Sequence, residues 1–345
     1  MIFLKKWYQQ PSENQDTIIS SRVRLARNLS GIPFESKMSH EDRNSVVSTV
    51  NNIVTSPELM DKSKMQMVDI DSLGKSQRLS LAEQHLISPQ FSRFGDGRAL
   101  FLSTDSGSSV IVNEEDHIRI QILKPGLDLD GALSDANKID DKLDKNVTYA
   151  FDDNLGFLTG CPTNLGTGLR ASVMLHLPLL EMSGRISSIA NNIVKLGLVL
   201  RGTYGEGTAP VGSFYQISNQ VTLGITEQNA ASNLQTIVNH IVSQERGLRE
   251  DAKGYNLEDK ICRSYGVLTN ARLLSFDEFM KLMSFVRLGI DLGYIDGISY
   301  ETLNELVLFQ GSAYLNVLEN KELSETESDF IRAKIVREKI TEKVK

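Results

Sequence analysis

Cysteine is nearly absent: Cys161 and Cys262 are the only two in 345 residues. That excludes a disulfide framework and fits a reducing, cytoplasmic setting. The pair forms no CxxC, and the five histidines (His40, His85, His117, His176 and His240) form no HExxH, so no zinc motif is present. Apolar runs are all far too short to cross a membrane. The opening MIFLKKWYQQ is apolar for only four residues and lacks the hydrophobic region of a signal peptide. Positive charge is not in excess either. A net charge of −7, with no readable helix-turn-helix, argues against direct nucleic-acid binding, although a local basic cleft stays open. What remains is an ordinary globular composition, 40% hydrophobic and 23% charged, without repeats and long enough for two domains.

Strands and helices mix up to about residue 225. SSRVRL places Arg22 and Arg24 on one face of a strand and Val23 and Leu25 on the other. ALFLSTDSGSSVIV reads as a hairpin turning at Asp105-Ser106-Gly107. An acidic turn follows, then a strand with His117, Arg119 and Gln121 opposite Ile118, Ile120 and Ile122; if it reaches back two residues, Glu115 joins the polar face. LRASVMLHLP alternates Arg170, Ser172, Met174 and His176 against Ala171, Val173, Leu175 and Leu177. FYQISNQVTLG alternates Tyr215, Ile217, Asn219, Val221 and Leu223 against Gln216, Ser218, Gln220 and Thr222. The pattern predicts an α+β fold, an antiparallel sheet flanked by helices with one face open to a ligand.

LSDANKIDDKLDKN and EQNAASNLQTIVNHIVSQERGLRE read as helices, and beyond Gly254 the pattern is all helical. Ser275 with Glu278 and Ser324 with Glu327 fit the S-x-x-E capping box, and Leu282, Met283, Val286 and Ile290 supply an apolar core face. Cys262 reads as a structural helix residue. A catalytic domain over residues 1–250 and a helical domain over 256–345 are therefore expected.

Familiar phosphate motifs fail on inspection. Gly74-Lys75-Ser76 ends like a P-loop, but Asp69 stands in place of its first glycine. Gly166-Thr167-Gly168-Leu169-Arg170-Ala171 matches GxGxxA, yet a strand follows it rather than a helix. Asp128-Leu129-Asp130-Gly131 is too short for a calcium loop, and no metal site held by protein side chains is expected. Arginines at strand edges stand out instead: Arg22, Arg24, Arg119, Arg170 and Arg201. Each alone reads as a solvated or ion-paired arginine. Five in one cleft would repel each other unless a polyanion sat among them, and guanidinium forks fit phosphate oxygens two at a time.

SSRVRLARNL, VNEEDHIR, CPTNLGTGLR and RGTYGEGTAPVGSFYQISNQVTLG, in that order, resemble the guanidino-kinase (phosphagen kinase) superfamily over residues 17 to about 245. The resemblance implies transfer of the γ-phosphoryl of Mg-ATP to a guanidinium nitrogen, with the magnesium held mainly by the nucleotide. It implies that Arg22, Arg24, Arg119, Arg170 and Arg201 cage the phosphates, with His85 near the nucleotide. Ser20, Ser21 and Val23, then Ala171, Ser172, Val173 and Met174, then Gly202, Thr203, Tyr204, Gly205 and Glu206 would line the same pocket. Glu115 matches the catalytic glutamate, Glu206 the second acid of members acting on arginine, and Cys161 the reactive cysteine. Gln216 departs from members that carry an aspartate there.

Only 19 residues precede Ser20, too few for the helical domain that small-molecule phosphagen kinases carry there. That arrangement is similar to the bacterial protein-arginine kinases, whose acceptor is an arginine on another protein. The subfamily implies a dimer, a role in stress response and protein quality control, and a phosphoarginine pocket of pattern RDxxRA. Here Ser328 replaces its first arginine, while Asp329, Arg332 and Ala333 fit. Implied partners are a heat-shock repressor as substrate, a zinc-containing activator protein and a Clp unfoldase–protease. A kinase for free arginine and a catalytically silent adaptor that binds nucleotide or phosphoarginine stay open as alternatives.

Overall fold

The computed structural model describes residues 7–56, 65–93, 97–103, 107–202 and 210–342. Its centre is an eight-stranded sheet with spatial order β2-β3-β4-β5-β1-β8-β10-β9, in which every neighbouring pair is antiparallel. The strands are β1 (Ile18–Arg27), β2 (Met65–Val68), β3 (Ala99–Ser103), β4 (Ser108–Val112), β5 (Ile118–Pro125), β8 (Leu169–His176), β9 (Leu198–Gly202) and β10 (Phe214–Asn219). A separate ribbon pairs β6 (Phe151–Asp152) with β7 (Gly156–Phe157). The expected β3–β4 hairpin is present, although part of its turn lies outside the described residues.

Period-two alternation sorts the side chains. Val23 and Leu25 of β1, Ile120 and Ile122 of β5, and Ala171, Val173 and Leu175 of β8 are fully buried on one face. There they pack on α1 (His40–Val54), α3 (Leu129–Asp144) and α6 (Glu227–Gly247). Each such Val, Leu or Ile contributes roughly 1.5–3 kcal/mol by leaving water. Asp128, expected not to hold calcium, caps α3 by accepting from Gly131 N at 2.9 Å. The alternation of FYQISNQVTLG stops earlier than expected: β10 ends at Asn219, Val221 and Leu223 are exposed, and Thr222 is the buried residue.

Short helices α2 (Lys75–Glu83), α4 (Pro178–Met182), α5 (Ile186–Val194) and α7 (Arg249–Ala252) connect these layers. Helices α8 (Tyr255–Asn270), α9 (Phe276–Asp291), α10 (Tyr300–Leu308) and α12 (Glu325–Thr341) build a second core, which also takes in Ile19, Leu179 and Phe214, while α11 (Ser312–Glu319) lies against α2. Met283 and Val286 are fully buried in it. Ser324 and Glu327 form the complete capping box, whereas Ser275 only accepts from Glu278 N. Cys262 lies on α8 but is exposed. Among the described residues no helix is long and apolar enough to cross a membrane.

Candidate active site

Strand register, rather than sequence proximity, gathers the arginines. Directly paired residues of neighbouring strands share a face. Arg24 lies opposite Arg170 on one side and Gln121 on the other; Arg22 lies opposite Ser172; Arg119 lies opposite Ala26. Gln216 lies opposite Met174 and Arg201. The polar row therefore runs continuously across β5, β1, β8, β10 and β9. It floors a cavity of about 320 Å³ lined by all five arginines together with His85, Glu115 and Cys161.

The guanidinium groups inside crowd one another. Burial and then the neighbouring Arg119 push the Arg22 guanidinium down to about 10. Burial, then Arg22, Arg119 and Arg170, push Arg24 further down, well below its ordinary value. The Nε of Arg24 and that of Arg119 are buried without a hydrogen-bond partner. Arg22 donates to Gln216 Oε1 at 2.9 Å and to Ser172 Oγ at 3.3 Å, and Arg170 to Asn219 O at 2.9 Å. His85, in the left-handed region at φ +59°, is pushed down to about 4 by burial and then by Arg22, so it stays neutral. Gln216 thus stands as a neutral acceptor for Arg22, where a carboxylate would cancel part of the field.

Glu115 is not on an extended strand. Strand β5 begins at Ile118, and residues 113–117 form a tight turn closed by Asn113 N donating to His117 O at 2.9 Å. Asn113 takes φ +59° and donates from its side chain to Gly97 O and Arg43 O, which pins the turn. The three acids separate in function. Glu114 turns inward to pair with Arg119 and accept from Ser88 Oγ. Asp116 accepts from Asn28 Nδ2 and Gly160 N, both at 2.6 Å, tying the turn to the segment before Cys161. Glu115 alone projects outward and is exposed, with the Cys161 thiol donating to its carboxylate. Partial burial of its carboxyl group, then the charge of Asp116, lift it above the usual glutamate value.

Not every expected residue faces the cavity. Val23, Ala171 and Val173 point into the core on the opposite face, and Ser21 Oγ is spent on Gly126 O and Asp128 N, so these positions offer only backbone. Ser20, Ser172 and Met174 line a small apolar slot that shares Arg22, His85 and Gln216 with the main cavity. Gly202 ends β9, whereas Thr203, Tyr204, Gly205 and Glu206 lie outside the described residues. Ser328, Asp329, Arg332 and Ala333 do not line the cavity. Glu114, Ser88 and Asn164 line it too; the sequence marked Glu114 only as one of three adjacent acids and gave no role to Ser88 or Asn164.

Buried guanidinium groups with unmet donors fit the phosphates of ATP. Among the described residues no group of three or more His, Cys, Asp or Glu side chains is placed to hold a metal ion. Neutral His85 and the cations suit this cavity to an anionic ligand; the exposed carboxylate beside it can accept a proton.

Comparison with known proteins narrows that class. Residues 45–248 match the ATP:guanido phosphotransferase C-terminal catalytic domain, and residues 254–345 the protein-arginine kinase McsB C-terminal domain. A protein-arginine kinase of Desulforamulus reducens is 42% identical over 339 residues, 97% of this chain and 95% of that one. One of Clostridium acetobutylicum is 41% identical over 341 residues, 98% of this chain and 100% of its own. Lombricine kinase, 25% identical, matches with a TM-score of 0.57 over 70% of this chain and 69% of that one. A duplicated taurocyamine kinase from Schistosoma mansoni, 22% identical, shares the fold, with a TM-score of 0.60 over 85% of this chain and 50% of its own. The chain belongs to the protein-arginine kinase family of the ATP:guanido phosphotransferases. It is a phosphotransferase with a guanidino acceptor.

Proposed function

We propose that this protein transfers the γ-phosphoryl of Mg-ATP to arginine side chains of other proteins. One juxtaposition carries this: exposed Glu115, hydrogen-bonded to Cys161, beside a cavity lined by five arginines. A guanidinium has a pKa above about 12, so the free base is scarce and its proton must leave during attack. The acceptor nitrogen forms the N–P bond as the bond from phosphorus to the departing ADP oxygen breaks. Glu115 takes the proton, and its raised basicity favours that transfer. Arg22, Arg24, Arg119, Arg170 and Arg201 stabilise the charge spreading over the phosphoryl oxygens. Cys161 would lie against the acceptor guanidinium, and Glu206 would grip its second edge, a role resting on the family motif alone.

The protein acceptor is supported by the names of the relatives and by the match of residues 254–345. In the same proposal residues 1–250 form the catalytic domain and 256–345 a helical domain that dimerises. The enzyme would act in the cytoplasm in stress response and protein quality control. Its partners would be a heat-shock repressor as substrate, a zinc-containing activator and a Clp unfoldase–protease, a set supported by family membership only. The test is mass spectrometry of an arginine-rich protein incubated with Mg-ATP, with free arginine in competition. Phosphoarginine on the protein supports the proposal. Phosphorylation of free arginine alone would make it a small-molecule kinase, and nucleotide binding without any transfer a silent adaptor.

A further inference from the structure

Glu83 closes α2, two residues before His85. Its carboxylate leaves that helix and caps another: Oε1 accepts from Ala313 N at 3.0 Å and Oε2 from Tyr314 N at 2.8 Å. These are the second and third residues of α11, whose N–H groups a helix start leaves open. Gly311 precedes the helix and has no side chain to serve as the cap. A Cβ there would stand 2.2 Å from the Glu83 carboxyl carbon. Asn316 adds a bond to Ser76 Oγ of α2 at 3.4 Å.

The receiving end is itself fixed by the motif residues that stay away from the cavity. Arg332, 1% exposed, donates to Gln310 O at 2.9 Å, Leu274 O at 2.8 Å and Asp329 Oδ1 at 2.7 Å. It thereby holds the chain entering α11. On the other side, the residues after Glu83 line the active cavity: His85, Ile87, Ser88 and Pro89. Gln121 Nε2 holds His85 O at 3.1 Å, and Ser88 holds Glu114, the partner of Arg119.

We propose that Glu83 is a positioning residue for the nucleotide site, acting through residues 84–89, with the Asp329–Arg332 pair fixing the helix it docks on. The helical region is then part of nucleotide recognition. A contact that only filled space would not need an acid there, since burial disfavours the charge of Glu83 and the two amides and Arg332 counter that cost. The inference rests on the nucleotide reading given above.

The test is titration of the full-length protein with a fluorescent ATP analogue, in the wild type, Glu83→Ala, Gly311→Ala, the double variant and Glu83→Gln, with Arg22→Ala as control. Each single loss should raise the nucleotide Kd about tenfold, a usual size for coupling between distinct regions. The double variant should be no worse than either single, because both changes break one contact. Glu83→Gln keeps an acceptor and should recover part of the loss, and KM for ATP should move more than kcat. Unchanged Kd in folded single variants, or losses that multiply in the double, would overturn the proposal. Equal binding by wild type and Arg22→Ala would overturn the nucleotide reading, and the inference with it.

Discussion

Arg24 sits where a cation is least stable, buried between Arg22, Arg119 and Arg170 with its Nε unmet. Arg24→Met should relieve repulsion and desolvation together, raising stability by roughly 1–2 kcal/mol in urea unfolding while weakening ATP binding at least about tenfold. A fall in both would mean that the charge is already paired. Glu115 gives a second prediction at this scale. As a proton acceptor it must be ionised, and its value is raised, so kcat/KM should fall with decreasing pH along a limb above the ordinary glutamate value of 4.5. An acid limb at or below that value would argue against Glu115 as the base. The alternation around Arg22, Arg119 and Arg170 was readable in the sequence because side chains on a strand obey a period of two. Which of three adjacent acids turns inward was not, because Asn113, Gly97 and Arg43 shape that turn from distant parts of the chain.

Between elements, α6 and α4 meet through Glu245, 1% exposed, whose two oxygens accept from Leu179 N at 2.9 Å and Leu180 N at 2.8 Å. Burial lifts its carboxyl from 4.5 to about 7 against those bonds. The folded state therefore binds this proton more tightly than the unfolded chain does. Stability from it is complete below pH 4.5 and is lost as pH rises through about 7. The loss between those limits is on the order of 2–3 kcal/mol. Melting temperature followed against pH should show that decline in the wild type and a flatter profile in Glu245→Gln; equal slopes would exclude the linkage. The helices were legible from apolar spacing and capping residues. The Glu83 and Glu245 caps were not, because each is supplied by a different helix.

Across the whole molecule, Asp16 joins the chain before β1 to the helices. It accepts from Arg246 Nη2 at 2.6 Å and from Arg249 Nη2 at 2.5 Å, and Arg249 reaches Asp291 of α9 at 2.7 Å. Burial opposes ionisation of Asp16, but hydrogen bonds from Arg246, Arg249 and Thr17 outweigh it and hold the carboxyl well below its usual range. Asp16→Ala removes the acceptor that Arg246 and Arg249 share, leaving Arg249 to Asp291 and Arg246 to Asn14, and should cost about 2 kcal/mol in denaturant unfolding; a cost under about 0.5 kcal/mol would show the network to be solvent-relaxed. Strand order was also beyond local reading. β1 lies between β5 and β8, which gathers Arg22, Arg24, Arg119 and Arg170, and β9, beyond β10, adds Arg201 to the same cavity. Their convergence could be expected from the four family motifs in order, not from the spacing of any one.

The most direct test of the central claim is phosphorus NMR of the full-length protein with Mg-ATP and an arginine-rich protein, run beside Glu115→Gln at matched nucleotide occupancy. The account predicts an acid-labile N–P resonance with the wild type and none with Glu115→Gln, whose ATP affinity stays within a few-fold. The same resonance forming at the wild-type rate in Glu115→Gln would contradict it.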